Sequence, residues 1–438
     1  MDTLFSHISV ITMDERMTVL TDAYVGVENG KIAWLSKKAP EGEPRQRVDG
    51  TGMVLMPGLI NCHTKLEQTM LRGCADDCDM RQWLETVYGR MEKMDDRAAK
   101  ASALLGIAEC LRFGVTSVSD LATHLDAVAE AVSESGIKAN LAQEMTMYLG
   151  EEFDFETYPD CRELVRAHEG WHGHDNGRIL IEAGIHGEYS SSHELWDALS
   201  EYAINNKLGL HLNLSQFPWE NEDCLDRAGL TPAQLLDCHG LFGVRTQAAH
   251  CCHLEAEDLA LLGRRKVNAV CCPMADRKLA AGEADVLAMV KAGMNVAFGT
   301  DSAAVVGSMD LLAQARTAAL TAKVSSGDPE TLNAQAALLM ATVCGAKAQG
   351  RAAECGMIKL GLDADLVALD FTQPHLIPCH NIVNSVVYAA SGRDVCMTMV
   401  RGEILYASGK YTTIDLNAVM KELADHAMAT VFAEREEI

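Results

Sequence analysis

The chain has 438 residues, of which 48% are hydrophobic, so it can fill a large core and does not belong to the intrinsically disordered class. Its formal net charge of -25 argues against nucleic acid or an anionic membrane as a partner, because both require clustered Lys and Arg. We therefore expect a small-molecule partner. No segment approaches ~18 uninterrupted apolar residues and the N-terminus lacks a signal-peptide pattern, which predicts a cytoplasmic protein.

The N-terminal segment, residues 1–56, has the pattern of short strands. It contains "AYVGVENGKIAWLSK", in which "NGK" separates two alternating segments and is a strong hairpin signal. We expect these strands to form part of a small β-sandwich.

Eight short apolar runs come next, and a helix-like segment follows each of them. Strands that alternate with helices over roughly 250 residues predict an α/β fold, a closed (β/α)8 barrel of the TIM type. Such barrels build their sites at the C-terminal ends of the strands, where the polar candidates of this sequence occur. The predicted strands are "PGLINCH" (57–63), "GVTSVSD" (114–120), "KANLAQE" (138–144), "ILIEAGIH" (179–186), "LGLHLNL" (208–214), "RTQAAH" (245–250), "VNAVCC" (267–272) and "NVAFGTD" (295–301).

The C-terminal segment again has short strands, in "GLDADLVALD" and "DVCMTMVRGEILYASGKY". We predict that residues 1–56 and 356–438 combine into one β-sandwich and that the barrel, residues 57–355, is inserted between them. A helix over about 414–435 is expected to finish the chain.

The first predicted barrel strand leads into "CHTK", residues 62–65, and a metal site of this kind would have a second histidine in place of the lysine. His-x-His at a strand end is a strong metal-ligand signature, because alternate residues point to the same side. Lys65 takes the second position here, and an ammonium repels a cation. The pattern predicts a site that has lost its metal, unless Lys65 simply extends its head to solvent.

Several motifs together resemble the amidohydrolase superfamily, in particular its deaminase and chlorohydrolase branch, which acts on purines, pterins and triazines. The resemblance spans nearly the whole chain and implies a barrel inserted in a sandwich, and a homodimer. It depends on the order of "MPGLINCHT", "LRGCADD", "GIHGEYSSSHEL", "LHLNLSQ", "AAHCCHL", "CCPMADRKLAAG", "FGTDSA" and "GLDADLVALD".

The resemblance also implies where a metal would be held. In that branch a His-x-His after the first strand, a His of the fifth strand and an Asp of the eighth hold a divalent ion, usually zinc or iron. The matching positions here are His63, Lys65, Asn213 and Asp301, so two of the four ligands are replaced. A different register would make His211 the fifth-strand ligand.

Further positions carry over as catalytic or substrate-binding candidates. The branch has a proton-transferring Glu three residues beyond the fifth-strand His, and Gln216 occupies that place. The sixth-strand His, which steadies the attacking water, matches His250. On the substrate side His186 and Tyr189 match the fourth-strand pair, and Cys271 stands where the branch has a seventh-strand His.

Two substrate-side residues complete the predicted site. Asn213 is expected to face the substrate, and Trp83 either covers the site or belongs to the core of a helix. Lys65 and Asp301 are the charges that remain if Gln216 is neutral and no ion is bound. We predict that they form a direct salt bridge at the barrel mouth, because the first and eighth strands are neighbours in a closed barrel.

The resemblance implies a hydrolase of carbon-nitrogen bonds other than peptide bonds, acting on a small nitrogen-rich heterocycle or amidine. Its chemistry would not depend on a metal, and Lys65, His250, Asp301 and Gln216 would carry it. No cofactor is expected. One alternative is a non-catalytic binding or partner protein with the same fold, and another is weakly bound zinc or iron on His63, His250 and Asp301, a 2-His-1-carboxylate set.

Overall fold

The computed structural model describes residues 1–148 and 150–433, in which a central run of strands lies between strands from the two chain ends. The N-terminal strands are β1 (Thr3–Ile11), β2 (Val19–Glu28), β3 (Lys31–Ser36), β4 (Gln46–Asp49) and β5 (Met53–Pro57). The central strands are β6 (Leu59–Thr64), β7 (Val115–Ala122), β8 (Lys138–Gln143), β9 (Ile179–Ile185), β10 (Leu210–Leu214), β11 (Thr246–His250), β12 (Asn268–Cys271) and β13 (Asn295–Phe298). The C-terminal strands are β14 (Leu366–Asp370), β15 (Val395–Val400), β16 (Glu403–Ala407) and β17 (Lys410–Tyr411).

The central strands form one parallel sheet in the order β6 to β13, which is the order of the chain. Every residue of β6, β7 and β8 is buried, as expected for parallel strands that are covered on both faces. The two ends of the sheet meet where the His63 carbonyl accepts hydrogen bonds from the backbone N–H groups of Thr300, at 3.1 Å, and Asp301, at 3.0 Å. The predicted eight-stranded barrel is confirmed, and this contact between its first and last strands lies at the C-terminal rim.

Helices cover the outside of the barrel, and several begin at a side-chain cap. Asp79 accepts a hydrogen bond from the backbone of Gln82, and Asp95 accepts one from Ala98, which satisfies N–H groups that the first turn leaves free. No helix of the described ranges is long and apolar enough to span a membrane. The helices are α1 (Met80–Met91), α2 (Asp96–Arg112), α3 (Leu125–Ser135), α4 (Pro159–Trp171), α5 (His174–Gly177), α6 (His193–Asn206), α7 (Pro218–Ala228), α8 (Pro232–Cys238), α9 (Ala256–Arg265), α10 (Pro273–Lys278), α11 (Val286–Lys291), α12 (Ala303–Val306), α13 (Leu311–Ser326), α14 (Ala334–Ala341), α15 (Val343–Ala348), α16 (Ile382–Tyr388), α17 (Leu416–Glu422) and α18 (Met428–Val431).

A second sheet combines strands from both chain ends. Its order is β17-β16-β15-β14-β5-β1-β2-β3, and β4 pairs with β1. β14 and β5 join the two halves through an antiparallel register in which Leu366 lies opposite Pro57. Phe5, Leu55 and Met399 are fully buried in the apolar cluster of this sheet. The predicted fold class, a barrel with a separate sheet from the two ends, is therefore confirmed, whereas the domain limits at residues 56/57 and 355/356 stay predictions.

The chain end contains helix in the region where one was predicted, but the helix is interrupted. α17 ends at Glu422, a π-helical turn covers Leu423–Ala427, and α18 continues to Val431. Residues 434 and 435, the last part of the predicted helix, lie outside the described residues.

Candidate metal centre and substrate cavity

His63 lies near the end of β6, and its two ring nitrogens have different surroundings. Nδ1 is 2.9 Å from Nε2 of His211. Nε2 is buried and has no hydrogen-bond partner among the described residues. Burial and the neighbouring imidazoles of His211 and His250 lower the pKa of His63 well below its usual value. The ring is therefore neutral, which is the state that a metal ligand requires.

His250 is the last residue of β11, and its ring is held from one side. Nδ1 is 2.7 Å from a carboxylate oxygen of Asp276, which leaves Nε2 as the nitrogen that can bind an ion. Metal-binding histidines generally have such a carboxylate partner on the other nitrogen. The backbone φ of His250 is 72°, and that of Asp301, after β13, is 64°. Both are left-handed conformations that non-glycine residues rarely adopt, and such strain concentrates at functional sites.

The ligand atoms of His63, His250 and Asp301 lie within 4.8 Å of one another. Nε2 of His63 is 3.7 Å from Oδ1 of Asp301, and the three residues are 0%, 2% and 5% exposed. Two imidazoles and one carboxylate form a recognised donor set for a divalent ion. The unpartnered Nε2 of His63 points to the same conclusion, because a buried polar atom without a partner is rare. These residues fit a metal.

Lys65 does not occupy this centre. Its Nζ donates to Oε2 of Glu144 at 2.7 Å and to the Tyr88 hydroxyl at 3.1 Å. Burial alone would lower the pKa of Lys65, but the charge and hydrogen bond of Glu144, together with the charge of Asp301, outweigh burial and the pKa is raised. The predicted Lys65–Asp301 salt bridge is wrong, because Glu144 at the end of the third barrel strand supplies a closer carboxylate.

Two acidic residues that the sequence analysis missed change the charge balance of the site. Glu144 neutralises Lys65, and Asp276 holds His250. Asp301 and Asp276 then remain as two carboxylates beside His63, which is neutral, and His250, whose pKa is raised because the nearby carboxylates together outweigh burial. A dication bound to neutral His63 and His250 would balance the two carboxylates. The expectation that Lys65 and Asp301 are the charges that remain without an ion did not include Glu144 or Asp276. Glu144 is the last letter of the predicted strand "KANLAQE", and a polar residue at that end was a usable signal.

Asn213 and Gln216, the other two replaced positions, also lie at this rim. Asn213 is 6% exposed, and its side-chain oxygen has no partner in the described part of the chain. The Gln216 amide lies 3.4 Å from the Asp276 carboxylate, to which it donates a weak hydrogen bond. His211, the alternative ligand, is fully buried and contacts His63 instead of standing beside Asp301.

A cavity of about 560 Å³ opens beside the Lys65–Glu144 pair. His186 and Tyr189 line it, as does the missed residue Tyr88, which donates to Glu144 at 2.5 Å. His186 lies 3.8 Å from Glu144.

Trp83 and Cys271, two predicted substrate-binding residues, do not line this cavity. Trp83 packs in an apolar cluster with Leu71 and Val87, because α1 turns that face of the helix inward. Cys271 is buried beside Asp276, at a smaller separate cavity.

The barrel, its strand-end site and its sequence define a known class: the chain belongs to the amidohydrolase family, whose profile matches residues 54–405. Among its relatives, the 5-methylthioadenosine/S-adenosylhomocysteine deaminase of Moorella thermoacetica is 37% identical over 377 residues, which are 86% of this chain and 87% of that protein. The 5'-deoxyadenosine deaminase of Methanosarcina acetivorans is 35% identical over 422 residues, 96% of each chain. A crystal structure of an adenosine deaminase from Xanthomonas campestris, with bound zinc, has a TM-score of 0.91 and 27% identity, with 97% of each chain covered.

These comparisons confirm the predicted family and a hydrolase of carbon-nitrogen bonds other than peptide bonds. They correct the prediction that no cofactor is present. The similar adenosine deaminase contains zinc, and this chain brings His63, His250 and Asp301 together as a candidate site. The expectation of a degraded metal site with metal-independent chemistry therefore has no support.

Proposed function

We propose that the protein is a metal-dependent hydrolytic deaminase of adenosine-like compounds. The convergence of the His63, His250 and Asp301 donors at the barrel rim carries this proposal. The substrate class comes from the relatives, which are named for deaminating adenosine derivatives and which match 86% and 96% of this chain.

In this reaction water attacks C6 of the purine: a C–O bond forms, the C6–N bond breaks, and the amino group leaves as ammonia. A divalent ion on the three donors would supply Lewis-acid activation of the attacking water. Asp276 would hold the His250 ring in place through its 2.7 Å contact. Lys65 and Glu144 would form a fixed dipole at the inner end of the cavity, beside His186.

The replaced residues Gln216 and Asn213 are assigned to substrate binding and not to proton transfer. Gln216 cannot transfer a proton, because an amide is not acidic at neutral pH, so we assign it and Asn213 to holding polar groups of the substrate. His250 would have both ring nitrogens engaged, by the proposed ion and by Asp276, so proton transfer is assigned to the carboxylate of Asp301. His186 and Tyr189 line a cavity of about 560 Å³, a volume typical of small-molecule sites.

The test is deaminase activity of protein loaded with zinc, iron or manganese. We expect ammonia release from adenosine, 5'-deoxyadenosine or 5'-methylthioadenosine, and its loss after dialysis against a chelator. His250→Asn should lower both metal content and activity by at least about 100-fold. His239→Asn is the matched control, because it breaks a similar His–Asp contact of 2.8 Å with Asp197, away from the site.

Failure of the loaded protein to deaminate any of the three compounds, or activity that survives removal of the metal, would contradict the proposal. A non-catalytic binding protein is not favoured, because the relatives are enzymes over nearly the whole chain. Location in the cytoplasm and a homodimer stay predictions.

A further inference from the structure

The cavity beside the proposed metal site has acidic walls. Glu92, Glu144 and Asp160 line it, and no Lys or Arg lines it among the described residues. Of the two lining histidines, His186 has its pKa lowered to about 4, because it is buried, and is neutral. The other, His124, is already engaged by Glu67 and by the Met94 carbonyl.

Among the residues that the structure describes, only one of the three carboxylates has a partner of opposite charge. Glu144 is paired with the Lys65 ammonium at 2.7 Å. Asp160 and Glu92 make no ion pair within the part of the chain that the structure describes, and Asp160 accepts only a 3.4 Å hydrogen bond from the backbone of Thr146. Burial, followed by the nearby charge of Glu144, raises the pKa of Asp160 to about 6.

A neutral acceptor adds to this pattern. Gln143 is 2% exposed and lines the cavity, and its Oε1 has no hydrogen-bond partner among the described residues. Its Nε2 is turned the other way, toward the Thr123 carbonyl at 3.4 Å. A buried acceptor left in this state favours a ligand that brings a donor. The cavity thus combines an unpartnered buried acceptor with two uncompensated carboxylates.

The orientation of a substrate follows from the proposed reaction. The purine C6 atom must reach His63, His250 and Asp301, so we place the base at the side of the cavity formed by Glu144 and His186, which contact Lys65 and Asn213 of the same rim. The 5' end of the ribose then points outward, toward Asp160 and toward Glu92, which is exposed at the end of α1.

Building on the proposed function, we infer that the enzyme selects adenosine derivatives whose 5' substituent is neutral or positively charged and discriminates against a 5' substituent that carries a carboxylate. A carboxylate on the substrate would lie beside the carboxylates of the cavity without a counter-ion, which disfavours binding. An ammonium or a hydroxyl would instead donate a hydrogen bond to the acceptor oxygens of Gln143 and Asp160. A 5'-amino group supplies a donor and carries no negative charge, whereas a 5'-deoxy or 5'-alkylthio group meets only the second condition. The amino-acid tail of S-adenosylhomocysteine carries a carboxylate and fits these conditions poorly.

The experiment uses the zinc-loaded protein and three adenosine derivatives of similar size: 5'-amino-5'-deoxyadenosine, 5'-deoxyadenosine and adenosine-5'-carboxylate. We expect kcat/KM for the carboxylate to be at least about tenfold lower than kcat/KM for 5'-deoxyadenosine. The kcat/KM for the amine should equal or exceed the value for 5'-deoxyadenosine. Asp160→Asn and Glu92→Gln should each reduce the difference in kcat/KM between the carboxylate and 5'-deoxyadenosine several-fold. Glu156→Gln, which removes one charge from an exposed position outside the cavity, should leave this difference unchanged.

Equal kcat/KM for adenosine-5'-carboxylate and 5'-deoxyadenosine would overturn the inference and leave the proposed function intact. The same conclusion would follow if Asp160→Asn and Glu92→Gln left the ratio of these two kcat/KM values unchanged. Glu92 is exposed, so its variant remains informative if Asp160→Asn fails to fold. If none of the three is deaminated, the proposed function fails, and calorimetric binding of the same compounds still ranks them. If none of the three compounds binds, or if the carboxylate binds as tightly as the other two, the inference is overturned as well.

Discussion

Lys65 is next to a candidate metal site without disturbing it, because Glu144 takes up its charge. The ammonium and the carboxylate are 5% and 3% exposed, and Tyr88 hydrogen-bonds to both. Such a pair is costly to break from one side, since the remaining charge is left buried without a partner. The behaviour of Lys65 therefore depends on a residue 79 positions away in the sequence.

Glu144→Gln should destabilise the fold by roughly 3 to 5 kcal/mol and weaken metal binding, because it leaves the Lys65 ammonium uncompensated. The double variant Lys65→Met with Glu144→Gln should recover much of this loss. Urea unfolding and zinc titration measure the two effects. Glu130→Gln is the control, since its partner Lys100 lies at the surface, and it should cost no more than about 1 kcal/mol.

Lys65 and Glu144 are not energetically coupled if Glu144→Gln lowers the free energy of unfolding no more than Glu130→Gln does. The same holds if the double variant loses as much free energy of unfolding as the two single variants added together.

At the level of secondary-structure elements, the sequence predicted the eight barrel strands well. Each strand is a short apolar run between turn residues, and the observed limits differ from the predicted ones by at most a few residues. The assignment of the site residues to the strand ends came from the resemblance to the amidohydrolase family. The interruption of the C-terminal helix at Leu423–Ala427 was not predictable, because nothing in the local composition marks it.

The contacts between strand ends could not be predicted in the same way. Lys65 directly follows the first barrel strand and could reach carboxylates at the ends of several others, so that its pairing with Glu144 and not with Asp301 depends on three-dimensional distances. Likewise Asp276 belongs to a short helix, α10, so a search restricted to strand ends missed its contact with His250. Distance and orientation between elements decide these partners, and the sequence pattern does not contain them.

Because β10 directs Asn213 to the same rim as the proposed ion, Asn213→His should add an imidazole ligand. We expect the affinity for zinc to rise by at least about tenfold, since zinc prefers four ligands and imidazole binds it better than an amide oxygen. Competition with a chromogenic chelator measures the change. Asn206→His, at an exposed position of α6, is the control and should not change the affinity.

Unchanged zinc affinity in a folded Asn213→His variant would show that β10 does not aim this side chain at His63, His250 and Asp301.

At the level of the whole molecule, one buried lysine joins the barrel to the second sheet. Lys138 begins β8 and is fully buried, and its Nζ is 2.7 Å from both Asp363 and Asp365, just before β14. Burial alone would raise the pKa of Asp363, but the hydrogen bond and charge of Lys138 outweigh it and, with Lys31, lower the pKa to about 2.

Lys138→Met should lower the free energy of unfolding at pH 7 by roughly 3 to 5 kcal/mol, because it removes the ammonium that Asp363 and Asp365 share. Asp363 then keeps only the more exposed Lys31 and Arg401. The pKa of Asp363 falls on folding, from 3.8 to about 2, so its contribution is complete above pH 3.8 and is lost as the pH falls toward 2. The difference in stability between wild type and variant should shrink over that interval. Urea unfolding at pH 7, 4 and 3 measures it.

Lys100→Met, which removes a partly exposed lysine from its contacts with Glu130 and Glu134, is the control and should have a small effect at every pH. A wild-type advantage over Lys138→Met that is the same at pH 7 and pH 3 would contradict the assignment to Asp363.

The contact of the His63 carbonyl with the backbone of Thr300 and Asp301 has a consequence for biosynthesis. His63 is among the first barrel residues to leave the ribosome, and Asp301 is among the last, so the three metal donors cannot meet until the whole barrel segment has been translated. The second sheet must wait longer, because β5 needs β14 as its neighbour. The proposed ion can therefore bind a nascent chain at this site only after Asp301 has been translated.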